Sequence, residues 1–186
     1  MNELINLEYL AKPISHSYDV WRIFCQLYPT KDCHPDIAKI LTYNFFNVVK
    51  VSLFCDLVLS LCKIYDPPQI GNYKHITFES YKKIISMDPE INNTYNVAKN
   101  LMTSFRDLRN QIIAHYEYDF FLHPPGSDGF KQSDIDCILD YSRIVNNHIR
   151  EHYKLTPYEY PIRRSKGAAE IILEILSRNI ASPGSR

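Results

Sequence analysis

Apolar residues recur along this chain at the three- and four-residue spacing of helices, and no alternating stretch argues for strands. A first helix is expected from about Ser17 to Tyr28, with Val20, Phe24 and Leu27 on one stripe. The second is expected to run from near Asp36 to Tyr65. Phe45, Phe46, Val48, Val49, Leu53, Phe54, Leu57, Val58, Leu61 and Ile64 place apolar side chains on nearly every face, which marks a helix covered on several sides. Lys50, Asp56 and Lys63 interrupt it, so it reads as a central bundle helix and not as a membrane span. Asp66-Pro67-Pro68 ends it, and a short helix is expected over Phe78–Ser86.

A fourth pattern begins at Asp88-Pro89, a capping residue before a first-turn proline, or a few residues later at Asn93, and continues to about Tyr118. Its stripe is expected to be Leu101, Phe105, Leu108 and Ile112. Residues 120–130, with Pro124-Pro125-Gly126, read as a loop. Ser133-Asp-Ile-Asp136 then resembles a weak capping box opening a helix with Ile135, Ile138, Leu139, Val145 and Ile149 inward. After a connector from Thr156 to Ile162, Ser165 caps a last helix to about Ile180. The expected class is all-α, a helical bundle whose amphipathic helices cover one another across short connections.

At 186 residues the chain is long enough for one domain with a substantial core. We read residues 1–182 as that single domain and residues 183–186 as a disordered tail. Lysine plus arginine equals aspartate plus glutamate, 21 each, which excludes a broadly basic surface of the duplex-DNA-binding kind but leaves room for a local positive cleft. The five cysteines lack any Cys-x2-Cys spacing and read as reduced thiols. Cys33-His34 lacks further convergent ligands nearby, so no metal site and no cofactor are expected. The first residues show no basic segment followed by an apolar run, and a cytoplasmic protein without membrane attachment is the expectation.

The candidate chemistry lies in Phe105-Arg-Asp-Leu-Arg-Asn-Gln-Ile-Ile-Ala-His115. Arg109 is followed by polar Asn110, and His115 comes six positions after the arginine. A histidine that ionises near neutrality can take a proton from a ribose 2′-hydroxyl or give one to a leaving oxygen. An arginine can hold phosphate oxygens with two parallel donors and stabilise the charge that develops at phosphorus. On one straight helix the two side chains stand ~120° apart and ~9 Å apart along the axis. A bent arginine or a two-fold neighbour is needed to bring them to one point. The structural alternative is plain: Arg109 pairs with a carboxylate such as Asp66, and His115 is an interior histidine favoured by a helix C-terminus. Arg106, one turn earlier, then serves as a surface or pairing residue.

The Arg-Asn-x4-His pattern resembles the signature of the HEPN superfamily of small helical domains. The run Phe45-Phe46…Leu59-Ser-Leu-Cys-Lys-Ile-Tyr-Asp-Pro67, with Ala114-His115…Asp119, resembles its abortive-infection-type, AbiU-like branch over approximately Trp21–Asp119. Lys63 stands where that branch would lead one to expect arginine, and Asp119 lies farther past the histidine than is typical. The resemblance implies a four-helix up-and-down core with extra short helices. It also implies a homodimer in which two Arg–His pairs line a cleft, and an RNA substrate. The activity implied is metal-independent RNA cleavage by a toxin or phage-defence effector, with Arg109, Asn110 and His115 catalytic and Asp66, Arg106 and Asp119 supporting. An antitoxin protein is a further implied partner. The alternative is a non-catalytic HEPN-like module that binds RNA, a nucleotide or a protein.

Overall fold

A computed structural model describes residues 2–28, 44–114, 131–160 and 171–175. The first helix, α1, spans Asn2–Leu27 and passes through Pro13, so it begins far earlier than the expected Ser17. Leu7, Leu10 and Ile14 are fully buried at helical spacing on both sides of the proline. Each such burial is worth roughly 1.5–3 kcal/mol, against about 3 kcal/mol for an interior proline. The apolar stripe therefore outweighs the helix breaker. Pro13 itself is only half-buried, and its own carbonyl accepts from Ser17 Oγ at 2.8 Å.

Helix α2 spans Asn44–Tyr65; the expected start at Asp36 lies outside the described residues. By length and composition α2 could cross a membrane. In this fold Leu57, Val58, Leu61, Cys62, Ile64 and Tyr65 are buried, while Phe45 and Val48 near its start are exposed. Antiparallel pairing of α1 and α2 follows from two contacts. Tyr28 Oη donates to the Phe46 carbonyl at 2.5 Å, and His16 Nε2 meets Asp56 Oδ2 at 2.7 Å.

Between α2 and the motif helix the chain makes a minimal hairpin, β1 (Gln69–Ile70) with β2 (Tyr73–Lys74), in register Gln69↔Lys74 and Ile70↔Tyr73. No strand was expected, because two residues per strand leave no alternation to detect. Gly71, with φ +59°, takes the first position of the two-residue turn, where a positive φ is required. Helix α3 covers only Phe78–Lys82, shorter than the expected Phe78–Ser86. Thr77 caps it, with its N–H donating to Ser80 Oγ at 3.3 Å. The chain then turns, and the amides of Ile84 and Ile85 both donate to the Tyr81 carbonyl.

Helix α4 spans Pro89–Ala114, opening at the Asp88-Pro89 signal. Helix α5 spans Gln132–His152 and opens one residue before Ser133, with Lys131 at the cap and no capping side-chain bond. The expected capping box is not made. Asp136 instead accepts from Trp21 Nε1 of α1 at 2.7 Å, since a buried indole N–H needs a partner. Trp21–Asp136, Tyr18–Asp140 and Glu8–Arg150 run in opposite chain directions, so α1 and α5 are antiparallel. Of the last expected helix, residues 171–175 are described and helical.

Helix α1 packs on α2, α2 on α4, α4 on α5, and α5 back on α1. This closed ring of four helices is the expected all-α bundle, with α3 and the hairpin added at the end of α2. The main core fills it, with Tyr65, Phe78, Tyr95 and Phe105 as its largest fully buried members beside the α1 stripe, and a small second cluster joins Leu27 to Leu173. Tyr65 Oη and Ser142 Oγ share a hydrogen bond at 2.9 Å, which satisfies the phenol where α2 meets α5.

Candidate functional site

Helix α4 aims its motif at the end of α2. Its buried stripe is Tyr95, Ala98, Met102, Phe105 and Leu108, which agrees with expectation at Phe105 and Leu108. Leu101 lies partly buried at the stripe's edge, and the side chain of Ile112 lies outside the described residues. Packing of that stripe on α2 is close enough for Cys62 Sγ to donate to the Phe105 carbonyl at 3.7 Å. Burial pushes the Cys62 thiol up to about 12, a rise that the nearby Arg109 partly offsets. Cys62 is therefore a packing group and not a nucleophile.

Arg106 and Arg109, three positions apart on one side of this stripe, reach the last turn of α2. Arg106 Nη2 donates to the Tyr65 carbonyl at 2.6 Å, satisfying one of the carbonyls that a helix C-terminus leaves open. Arg109 Nη1 donates to Asp66 Oδ2 in an ion pair. Asp66 is 8% exposed. A carboxylate so placed at the negative end of a helix needs a cation, and the motif arginine supplies it. Its second oxygen, Oδ1, lies 3.9 Å from Arg106 Nε, beyond hydrogen-bond reach. Neither of those two buried atoms has a hydrogen-bond partner among the described residues.

The rest of the Arg109 fork is turned toward Asn110, whose Oδ1 accepts from Nε at 3.3 Å and from Nη2 at 3.1 Å. A guanidinium carries five N–H donors. Asp66 and Asn110 take three, leaving two, one on each Nη nitrogen, that they do not use. Arg109 keeps 21% of its side chain exposed and Asn110 is exposed. The site thus presents a partly open guanidinium whose plane is held from both sides.

Of the six expected site residues, Arg106, Arg109, Asn110 and Asp66 converge. His115 and Asp119 lie outside the described residues. The Tyr65 carbonyl as an arginine acceptor was missed, because a backbone acceptor leaves no mark in sequence. A group on the neighbouring turns was missed as well. Tyr95 Oη and Lys99 Nζ both donate to Glu79 Oε2, at 2.6 and 2.9 Å. Its one available signal was the Tyr95/Lys99 spacing of four residues on one helix face. The tyrosine hydrogen bond, and then that of Lys99, hold the Glu79 carboxyl below its ordinary range. Among the described residues no cluster of three or more His, Cys, Asp or Glu side chains is placed to hold a metal; Cys33 and His34 lie outside them.

A family model described as AbiU2, of the HEPN type, matches residues 6–171. No curated protein and no solved structure matches the chain.

Proposed function

The chain belongs to the AbiU2 family of HEPN domains, an abortive-infection family, and on that premise we propose that it is an endoribonuclease acting through Arg109, Asn110 and His115. The observation that carries this reading is the seating of Arg109. A buried Asp66 and the Asn110 carbonyl hold the guanidinium plane, and neither of these two partners uses the other two donors, which in this reading grip a phosphate. In the proposed reaction His115 removes the proton of a ribose 2′-hydroxyl, whose oxygen attacks the adjacent phosphorus. Arg109 stabilises the charge on the five-coordinate phosphorus. The 5′-oxygen leaves with the proton that His115 took up, and the product strand ends in a 2′,3′-cyclic phosphate. Asp66 is a positioning residue, and Arg106 anchors α4 to the end of α2 beside it.

Dimerisation belongs to the same proposal. Positions six apart on an ideal helix stand ~120° from one another, and a two-fold neighbour would line one cleft with two Arg–His pairs. The setting that suits such an enzyme is the bacterial cytoplasm, as a toxin or phage-defence effector restrained by an antitoxin protein.

The ion pair also favours a second reading, a non-catalytic helical module, because Asp66 already balances the charge of Arg109. Expression of the wild type against His115→Ala separates the two. Growth arrest with RNA fragments bearing cyclic-phosphate ends, abolished in a folded His115→Ala variant, is the result expected of the enzyme. Equal toxicity of the two proteins, or none from either together with intact RNA, overturns it.

A further inference from the structure

Helix α4 carries a second set of charges that the Arg109–His115 chemistry does not use. The ammonium groups of Lys82 on α3 and Lys99 on α4 lie 4.8 and 5.5 Å from the ring centroid of Tyr95. Both ammonium groups lie over the Tyr95 ring, which is fully buried beneath them and its other neighbours at the seam between the helices. Glu79 fixes the arrangement by accepting from both Tyr95 Oη and Lys99 Nζ. Lys99 is thus paired with Glu79, whereas Lys82, near the same carboxylate, makes no ion pair among the described residues.

This seam is continuous with the motif. Lys99, Arg106 and Arg109 fall within ~80° of one another around α4, with the arginines ~10 and ~15 Å along the axis from the lysine. Tyr65 joins the two halves. Its ring stacks on Tyr95 at 6.1 Å while its carbonyl holds Arg106. In a chain with zero formal net charge, Lys99, Arg106 and Arg109 form a local file of cations along one margin of α4, with Lys82 of α3 beside its start.

We propose that Lys82 and Lys99, braced on Tyr95, form a phosphate-binding station for single-stranded RNA whose scissile phosphate lies at Arg109. The linear spacing matches a flexible polyanion laid along one helix, a few nucleotides long. Compact ammonium groups suit phosphates met as point charges, whereas the planar fork of Arg109 suits the reacting one. The placement of the scissile phosphate at Arg109 rests on the ribonuclease reading; binding by the lysines does not.

The test is salt-dependent binding of a labelled, single-stranded 2′-O-methyl oligonucleotide, which cannot be cleaved, with cleavage of total RNA followed in parallel. Lys82→Gln and Lys99→Gln should each weaken binding several-fold and flatten the logarithmic salt slope by about 0.7, the value for one single-strand phosphate contact. Glu79→Gln keeps an acceptor for Tyr95 but releases the charge of Lys99, and should tighten binding and steepen the slope. A merely structural cluster would lose stability in Glu79→Gln with no gain in affinity. Unchanged affinity and slope in both folded lysine variants overturns the station, even where Arg109→Ala abolishes cleavage and the ribonuclease reading stands. So does a wild type that binds no oligonucleotide at low salt. Lysine-dependent binding without any RNA cleavage leaves the station standing and removes the enzyme.

Discussion

Arg109 reaches from the motif helix to the buried carboxylate of Asp66, the first residue past the last turn of α2, and Asn110 takes up the other edge of the same guanidinium. One side chain thus ties two helices of the bundle together and displays the donors that the proposed chemistry needs. Its roles in stability and in activity are separable by measurement.

If the pair is a buried tether, Asp66→Asn, Arg109→Ala and the double variant should form a cycle with a coupling energy of roughly 1–3 kcal/mol in urea unfolding. Each single variant strands a charge in a largely desolvated site, and the double variant does not. Coupling below about 0.5 kcal/mol, the usual additivity error, would mean that solvent screens the pair.

RNA cleavage should fail in Arg109→Lys as completely as in Arg109→Ala, because an ammonium keeps the charge but loses the two-pronged planar donor. The His/Arg chemistry should persist in EDTA, and RNA methylated at the 2′-oxygen should resist. Activity that appears only when Mg²⁺ is added would sink this mechanism.

Glu79 has a folded-state carboxyl held below its ordinary range by Tyr95 and Lys99. A depressed carboxyl contributes stability that is complete above its unfolded pKa, about 4.3, and is lost as pH falls through the folded value. The melting temperature of the wild type should therefore exceed that of Glu79→Gln near neutrality. The two should converge on acidification below the ordinary carboxylate range. A difference that stays constant through that range would show that the ion pair contributes nothing.

Cys62, with its thiol raised to about 12 by burial, should resist iodoacetamide at mildly alkaline pH in the folded protein and react once urea unfolds it. Half-buried Cys25 and Cys137 serve as internal references in peptide mass spectrometry. Rapid alkylation of Cys62 under native conditions would contradict the seating of α2 on α4.

Lys154 follows α5 with φ 55°, and the amide of Leu155 closes the helix by donating to the Arg150 carbonyl at 2.9 Å. A side chain in this left-handed conformation costs roughly 1–2 kcal/mol. Lys154→Gly should raise stability by part of that amount, about 0.5–1 kcal/mol, since glycine also gains freedom in the unfolded chain. Loss of stability would show that the lysine stem makes a compensating contact.

The helical class, the Asp66-Pro67-Pro68 stop and the Asp88-Pro89 start were legible in the chain because they rest on local rules: periodicity, proline geometry and first-turn preference. Where a local rule met tertiary burial, burial prevailed. Pro13 did not break α1, because Leu7, Leu10 and Ile14 are all fully buried. The Ser133–Asp136 box was not made, because Asp136 serves Trp21 of another helix. The Arg109, Asn110 and Asp66 set was visible as residue types. The Arg109–Asp66 pairing was named from the sequence as the structural alternative and is made; only the three-dimensional arrangement turns the arginine's fork to Asn110. The lysines braced on Tyr95 had still less to announce them, since Lys82 and Lys99 stand on different helices. Periodicity is a property of neighbours in sequence, and so it prescribes helices. Charge partners are chosen by burial, where an unpaired group is too unfavourable to leave alone, and burial is decided only when the helices pack.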